Sequence, residues 1–120
     1  MFDRRTTCRA LDQLLHKKSF GRVWLVEVGH EPAGYAILTY NYDLEFGGVE
    51  GIITDLFITA PHRRMGLGAK MIEAISAYCR KNRINAIELQ VTQGNRRAKE
   101  FYKALGFKQF DRIVMGIDLA

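Results

Sequence analysis

Apolar residues recur with the period of an α-helix in three parts of the chain. The segments run from Thr6 to about Lys18, from Leu67 onward, and from Asn95 to Leu105. Within each segment the spacings are mainly three and four residues, which places the apolar side chains on one face of a helix. The pattern predicts three amphipathic helices, the second of which covers a sheet. Their apolar faces are formed by Cys8, Leu11, Leu14 and Leu15; by Leu67, Met71, Ile72, Ile75, Tyr78 and Cys79; and by Ala98, Phe101, Tyr102 and Leu105.

Five further segments have the composition or the alternation of β-strands. The first two are rich in β-branched and aromatic residues, and a turn at 29–33 joins them into a hairpin. The third is a short, mostly apolar run that stops before Pro61, as a central strand does. The fourth alternates between apolar and polar residues, so it is expected to bury one face. The predicted strands are Arg22–Val28, Gly34–Tyr42, Ile52–Ile58, Ala86–Thr92 and Phe107–Leu119.

The order of these elements indicates the fold class. The strand at 52–58, the helix after it and the strand at 86–92 form a βαβ unit, whose two strands are expected to pair in parallel. The antiparallel hairpin attached to this unit makes the sheet mixed. We therefore predict an α/β (α+β) protein in which helices flank a mixed sheet, with one domain spanning residues 1–120.

Composition indicates anionic partners and a cytoplasmic location. The chain of 120 residues has 18 Lys and Arg against 13 Asp and Glu, for a formal charge of +5. Its two cysteines, Cys8 and Cys79, suggest neither a disulfide framework nor a zinc site, and a reducing cytoplasm fits best. No apolar run approaches the roughly 20 residues that cross a bilayer. The start, Met-Phe-Asp-Arg-Arg, lacks a signal-peptide core, so we expect neither export nor membrane insertion.

The segment Pro61-His-Arg-Arg-Met-Gly-Leu-Gly-Ala69 lies between a predicted central strand and a predicted helix. A helix N-terminus has about four backbone N–H groups without partners and a partial positive charge, so it favours an anion. Gly66 and Gly68 would let a diphosphate approach those amides, and Arg63 and Arg64 add charged donors. The spelling matches neither a P-loop nor a Rossmann fingerprint. A phosphate-rich ligand is one interpretation; a plain turn with arginines in solvent is the other.

A second segment runs from Asn95 to Phe107. Asn95 can cap the helix that follows it, and Tyr102 falls on that helix's apolar face. Taken alone, Tyr102 is a packing residue whose hydroxyl finds a local partner.

Together the two segments resemble the GNAT superfamily of acetyl-CoA-dependent N-acetyltransferases. The resemblance rests on Arg63-Arg-Met-Gly66-Leu-Gly68 after a strand ending Asp55-Leu-Phe-Ile58, and on Asn95-x-x-Ala98-x-x-Phe101-Tyr102-x-x-x-Gly106-Phe107. It covers about Gly34 to Phe107. It implies a GNAT-like fold in which the sheet is splayed at its centre, between the strands at 52–58 and 86–92.

The resemblance also implies an acetyl-CoA site, with no metal. The backbone amides of Arg64 to Ala69 would hold the CoA pyrophosphate, with Arg63 and Arg64 on the phosphates, and Asn95 would contact the cofactor arm. The main chain of Leu56 to Ile58 would pair with pantetheine as another strand does. The implied cofactor-binding residues are Leu56, Phe57, Ile58, Arg63, Arg64, Met65, Gly66, Leu67, Gly68, Ala69 and Asn95.

The implied reaction is direct attack of a primary amine on the thioester within a ternary complex. A backbone N–H near Phe57 or Ile58 would stabilise the oxyanion, and Tyr102 would protonate the departing thiolate. An amine with a pKa near 10 must first lose a proton, so a base or a water relay is needed. Asp55, acting through water, is the first choice for this base, ahead of Glu50 and Glu88. Each of the three carboxylates could equally have no role beyond local structure.

The resemblance leaves the acceptor open. The usual first strand and first helix of the family are lacking, because the predicted first helix matches the family's second. A truncated start, a naturally short member and a homodimer that covers the sheet edge are all compatible with this. Tyr40 to Glu45, with Glu50, would border the acceptor site and weakly favour a small cationic amine, although an ordinary solvated loop fits as well.

Two other functions compete with catalysis. One is an acyl-CoA-binding regulatory or assembly module with weak or no activity. The other is nucleic-acid binding, which ranks low because the basic residues are spread along the whole chain. Gln90 stands where some protein-directed members carry a catalytic Glu, which weighs against their mechanism. His16, His30 and His62 are expected at the surface, and both cysteines are expected to be apolar helix residues.

Overall fold

The computed structural model describes residues 4–120, so the first three residues of the charged start lie outside the described part. The chain divides into two compact units, one up to Gln90 and the other at Val91–Ala120, and each is described by itself. The first unit contains α1 (Arg4–His16), β1 (Gly21–Val28), β2 (Glu31–Asp43), β3 (Gly48–Ile58), α2 (Leu67–Lys81) and β4 (Ile87–Leu89). The second contains α3 (Arg96–Ala104).

The four strands form one sheet in the order β1-β2-β3-β4. The first three are antiparallel neighbours, and β3 pairs with β4 in parallel. The turn between β1 and β2 has only two residues, Gly29 and His30, and Gly29 adopts a φ of +66°, which suits a tight hairpin. The predicted mixed sheet flanked by helices is therefore confirmed.

One face of the sheet and the apolar face of α2 form the core. Ala36 and Leu38 on β2, with Ile53 on β3, are buried. From α2 the same core receives Met71, Ile72, Ile75 and Cys79. Each large aliphatic side chain buried in this way contributes about 1.5–3 kcal/mol. This packing holds α2, and the loop that leads into it, against the sheet.

A β-bulge divides β3 into two parts. Ile53 lies opposite Leu38 and Asp55 lies opposite Ile37, so Thr54 is an extra residue in the ladder with β2. The parallel ladder with β4 ends at Ile53, one residue before the bulge. Because a bulge bends its strand, β3 leaves β4 at this point. Among the described residues, Thr54 to Ile58 have no β4 partner, and this part of β3 is called the open edge below.

The orientation of the backbone groups on the open edge follows from the contacts with β2. The Thr59 N–H donates to the Ala33 carbonyl oxygen at 2.8 Å, and the Phe57 carbonyl oxygen is directed at Gly34. Because successive residues of a strand alternate between its two edges, Phe57 faces β2 while Leu56 and Ile58 face away from it. Leu56 and Ile58 therefore present their N–H and C=O groups to the open edge.

Several strand predictions differ from the structure. β2 covers Glu31–Asp43 rather than Gly34–Tyr42, because the turn before it has two residues instead of five and its ladder with β3 continues to Asp43. β3 begins at Gly48 rather than Ile52, because residues 48–50 continue the ladder with the end of β2. β4 covers Ile87–Leu89 rather than Ala86–Thr92, because the bend of β3 removes its partner. The predicted strand at Phe107–Leu119 is wrong, since these residues adopt no regular structure. Gly116 and the unbroken apolar run Ile113–Met115 disrupt its alternation, and Met115 is 83% exposed.

Replacing Gly34 by Ala tests the close approach of β2 and β3 beside the open edge. A Cβ at this position would lie 2.3 Å from the Phe57 carbonyl oxygen, so the two strands must shift apart. We expect Gly34→Ala to lower the free energy of unfolding by about 1–3 kcal/mol, measured by urea denaturation. The matched control is Gly94→Ala, whose Cβ would meet no atom within 4 Å and which should change stability by less than about 0.5 kcal/mol. Equal effects of the two substitutions would contradict this packing.

Candidate active site

The loop after β3 leads to an uncapped helix N-terminus. β3 ends at Ile58, a short 3₁₀ turn spans Ala60–His62, and α2 begins at Leu67. The N-cap residue Gly66 provides no side-chain hydrogen bond, and its carbonyl oxygen accepts from the Lys70 N–H at 3.1 Å. The N–H groups from Gly66 to Ala69 thus have no acceptor within the helix. Together with the helix dipole, they form a site suited to an anion.

Gly66 is required by its backbone conformation. Its φ of +75° is left-handed, and a Cβ there would meet no protein atom within 4 Å. The space beside Gly66 is therefore open, as an approaching ligand would require. Arg64 also adopts a left-handed φ, of 65°, and its side chain is exposed.

The two arginines of the loop differ in direction. The Arg63 Nε donates a hydrogen bond to the Ile58 carbonyl oxygen at 3.0 Å, and its guanidinium carbon lies 5.7 Å from the centre of the Phe57 ring. Arg63 therefore contacts the open edge of β3. The side chains of Arg63 and Arg64 are both exposed, and their predicted contacts with CoA phosphates stay predictions.

His62 is buried, so the prediction of a surface residue is wrong. Its Nδ1 lies 2.8 Å from the Thr59 hydroxyl, and its Nε2 lies 4.0 Å from a carboxylate oxygen of Glu31. The Thr59 hydroxyl in turn donates to the Ala33 carbonyl oxygen at 3.2 Å. These contacts tie the loop to the first residues of β2, which keeps the helix N-terminus next to the open edge.

The three candidate bases lie on one face of the sheet but in different surroundings. Asp55 is exposed and lies on the open edge, opposite Ile37. Glu50 is only 1% exposed and lies roughly 15 Å further back along β3, at about 3.3 Å per residue. One of its oxygens accepts from the Asn41 amide at 2.9 Å, and the other has no partner among the described residues. Glu88 on β4 is half-buried and interacts with another group, so Asp55 is the most exposed of the three.

A row of one aliphatic and two aromatic side chains lies beside Asp55, and the sequence did not indicate it. Leu25, Tyr35 and Phe57 lie directly opposite one another on β1, β2 and β3, and they are 77%, 37% and 44% exposed. The rings of Tyr35 and Phe57 are 5.9 Å apart between centroids. Because paired residues share a face, this row lies on the same face as Asp55. The sequence shows that these positions of the predicted hairpin are apolar. That their side chains are exposed can be seen only in the structure.

The predicted border of the acceptor site is divided between two faces. Tyr40 lies on the side of α2, where its hydroxyl contacts the Tyr78 hydroxyl, whereas Asn41 and Glu50 lie on the opposite side. Asp43 ends β2, and Glu45 lies within the turn at 44–47. These carboxylates and aromatic rings therefore do not form one cluster.

The second unit contains the remaining two candidates, Asn95 and Tyr102. The Asn95 side-chain oxygen accepts from the Ala98 N–H at 3.1 Å, so Asn95 caps α3 as predicted. Tyr102 packs edge to face against Phe101 and Phe107, at 5.0 and 5.5 Å between ring centroids. Burial raises the pKa of the Tyr102 hydroxyl, so it keeps its proton at neutral pH.

Other chemical groups contribute little. Cys79 is buried and its burial raises the pKa of its thiol, which makes it a poor nucleophile, whereas Cys8 is exposed on α1 rather than packed. Within residues 4–120, no group of three or more His, Cys, Asp or Glu side chains could hold a metal ion. None of the described helices is long and apolar enough to cross a membrane.

Known proteins share the sequence pattern and the fold of this chain. The profile of the acetyltransferase (GNAT) family matches residues 2–107. The chain belongs to this family. An uncharacterised N-acetyltransferase of Methanocaldococcus jannaschii is 29% identical over 96 residues, which are 79% of this chain and 42% of that protein. This GNAT chain thus spans less than half the length of that curated relative.

Solved structures have the same fold. An integron cassette protein from the mobile metagenome of Cole Harbour Salt Marsh is 30% identical, with a TM-score of 0.85 over 98% of this chain and 72% of that one. An aminoglycoside N-acetyltransferase in complex with CoA has a TM-score of 0.80 over 97% of this chain and 88% of that one. At 14% identity, the second likeness shows the fold alone. The GNAT fold is therefore established for this chain.

Proposed function

We propose that the protein is an N-acetyltransferase that moves acetyl from acetyl-CoA to a primary amine. The observation that carries this proposal is the open edge of β3 beside the uncapped N-terminus of α2. The open edge offers backbone groups that have no strand partner, and the N-terminus of α2 offers backbone amides suited to phosphate. Membership of the GNAT family supports acyl-CoA as the ligand that needs both.

The chain would hold acetyl-CoA at two places. The amides from Arg64 to Ala69 would bind the pyrophosphate, with the exposed Arg64 side chain as an additional donor. The Leu56 N–H and C=O and the Ile58 N–H would pair with pantetheine, because they face the open edge, whereas the Ile58 carbonyl oxygen already accepts from Arg63. Phe57 faces β2, so the Ile58 N–H is the proposed oxyanion donor of the two that the sequence left open. Asn95 is proposed to contact the cofactor arm in addition to capping α3.

Proton transfers would be divided between two side chains. Asp55, through a water molecule, would accept the proton of the substrate ammonium, after which the amine nitrogen attacks the thioester carbonyl carbon. The carbon–sulfur bond then breaks, and the neutral Tyr102 hydroxyl would protonate the CoA thiolate and recover its proton from solvent. No covalent enzyme intermediate is needed, because holding amine and thioester together supplies much of the acceleration.

The acceptor is proposed to be a small cationic amine. Asp55 supplies a negative charge, and Tyr35 and Phe57 supply aromatic faces on the same side of the sheet. Aromatic faces attract cations, so the two rings and the carboxylate favour the same kind of acceptor.

Replacing Tyr102 by Phe tests the proposed acid. The variant keeps the ring packing and loses the proton donor, so kcat should fall by about 10²–10⁴ while the acetyl-CoA affinity stays within a factor of about two. The measurement is thiol release from acetyl-CoA with a panel of mono-, di- and polyamines. Tyr42→Phe is the control, since Tyr42 is 71% exposed on β2.

Two outcomes would overturn parts of this account. No binding at millimolar acetyl-CoA would contradict the whole proposal. Tight binding with no turnover on any amine would favour the alternative, an acyl-CoA-binding module without catalysis.

Replacing the two loop arginines separately tests the division of the cofactor site. Arg64→Ala should lower kcat/KM for acetyl-CoA about tenfold or more, but not for acetyl-pantetheine, which has no pyrophosphate. Arg63→Ala should lower kcat/KM for acetyl-CoA and for acetyl-pantetheine by similar factors, because Arg63 orders the open edge through Ile58. Arg80→Ala, exposed in the last turn of α2, serves as the control. If Arg64→Ala lowered kcat/KM equally for acetyl-CoA and acetyl-pantetheine, that result would contradict this division.

A further inference from the structure

A cleft lies at the other end of α2 from the candidate active site. Its volume is about 300 Å³. Tyr78 in its wall is eleven residues beyond Leu67, which corresponds to about 16 Å along the helix axis at 1.5 Å per residue. The lining residues are Lys18, Tyr40, Val49, Tyr78, Asn82 and Ile84. The cleft is therefore separate from the loop and open edge described above.

The polar centre of this cleft is a pair of tyrosine hydroxyls. The oxygens of Tyr40 and Tyr78 are 2.6 Å apart, so one hydroxyl donates to the other. The pair carries two protons, and this bond uses one of them. Neither hydroxyl has another hydrogen-bond partner among the described residues. One O–H donor therefore remains for a group that enters the cleft.

The charges around the hydroxyl pair are positive. Lys18 lines the cleft, and the Arg22 guanidinium carbon lies 4.7 Å from the centre of the Tyr78 ring. No carboxylate is among the lining residues that the structure describes. Burial, and the hydrogen bond with Tyr78, raise the pKa of the Tyr40 hydroxyl, so the pair stays protonated and acts as a donor.

The remaining lining residues are two aliphatic side chains and one amide. Val49 on β3 and Ile84 after α2 supply aliphatic surface. The Asn82 amide donates to the Tyr78 carbonyl oxygen at 2.8 Å, which holds the end of α2 in place. A ligand matched to these walls has a short apolar body and one acceptor group.

We propose that this cleft binds a small organic monocarboxylate, with its carboxylate against the Tyr40–Tyr78 hydroxyl pair and Lys18 and its apolar body against Val49 and Ile84. The site is independent of the proposed acetyl transfer, and no part of the candidate active site contributes to it. A cation is disfavoured by Lys18 and Arg22, and a neutral alcohol gains less because hydrogen bonds to a charged acceptor are stronger.

The chain carries its own reporter for this site. Trp24 is the only tryptophan, and its ring packs edge to face on Tyr78 at 5.3 Å between centroids. The experiment titrates the full chain with hexanoate and follows Trp24 fluorescence, with hexanol and hexylamine as probes of equal length. We expect a saturable change with hexanoate, an affinity at least about tenfold weaker for hexanol, and no saturable change with hexylamine.

Variants test the assigned contacts. The double variant Tyr40→Phe/Tyr78→Phe should weaken hexanoate binding by about tenfold or more, while Tyr42→Phe, outside the cleft, leaves it unchanged. Should the double variant fail to fold by circular dichroism, Lys18→Gln should still weaken binding about threefold, and Lys17→Gln, whose amine lies over the Phe20 ring, should not.

Three results would overturn the proposal. They are the absence of a saturable response to hexanoate, equal affinities for the three probes, and equal effects of Lys18→Gln and Lys17→Gln.

Discussion

The extra residue at Thr54 is the constraint on which the rest of the site depends. Side chains alternate between the faces of a strand, so a shift of one residue reverses every position that follows. Without Thr54 as an extra residue, Asp55 and Phe57 would point at α2 and into the core. With it they lie on the opposite face, and the ladder between β3 and β4 stops at Ile53. One bulge thus opens the sheet and also sets which side chains line the opening.

The opening leaves backbone N–H and C=O groups without strand partners, which costs free energy. The surrounding residues satisfy some of these groups and hold the others in place. An unpaired strand edge and an uncapped helix N-terminus both need hydrogen-bond partners. Arg63 satisfies the Ile58 carbonyl oxygen, and His62 with Thr59 fixes the loop between the two features. The buried side chains of α2 hold that helix against the sheet while its first amides stay exposed. The groups that folding leaves unsatisfied are the ones that the proposed cofactor would satisfy.

Sequence patterns predicted much of this arrangement, and the predictions that failed did so for physical reasons. The apolar period of α2 and the capping Asn95 are local signals, and the structure agrees with both. The bulge at Thr54 depends on which residues of β2 lie opposite, so no local pattern indicates it. The burial of His62 depends on contacts with Thr59 and Glu31, the latter far along the chain. The strand expected at Phe107–Leu119 failed because Gly116 and the apolar run Ile113–Met115 disrupt its alternation.

Amide hydrogen exchange at three consecutive residues tests the open edge of β3 most directly. With acetyl-CoA bound, the amides of Leu56 and Ile58 should exchange at least about tenfold more slowly, because they face the edge where pantetheine would pair. The Phe57 amide faces β2 and should change little. Acetyl-CoA binding that leaves Leu56 and Ile58 unchanged, or that slows all three amides equally, would contradict the account.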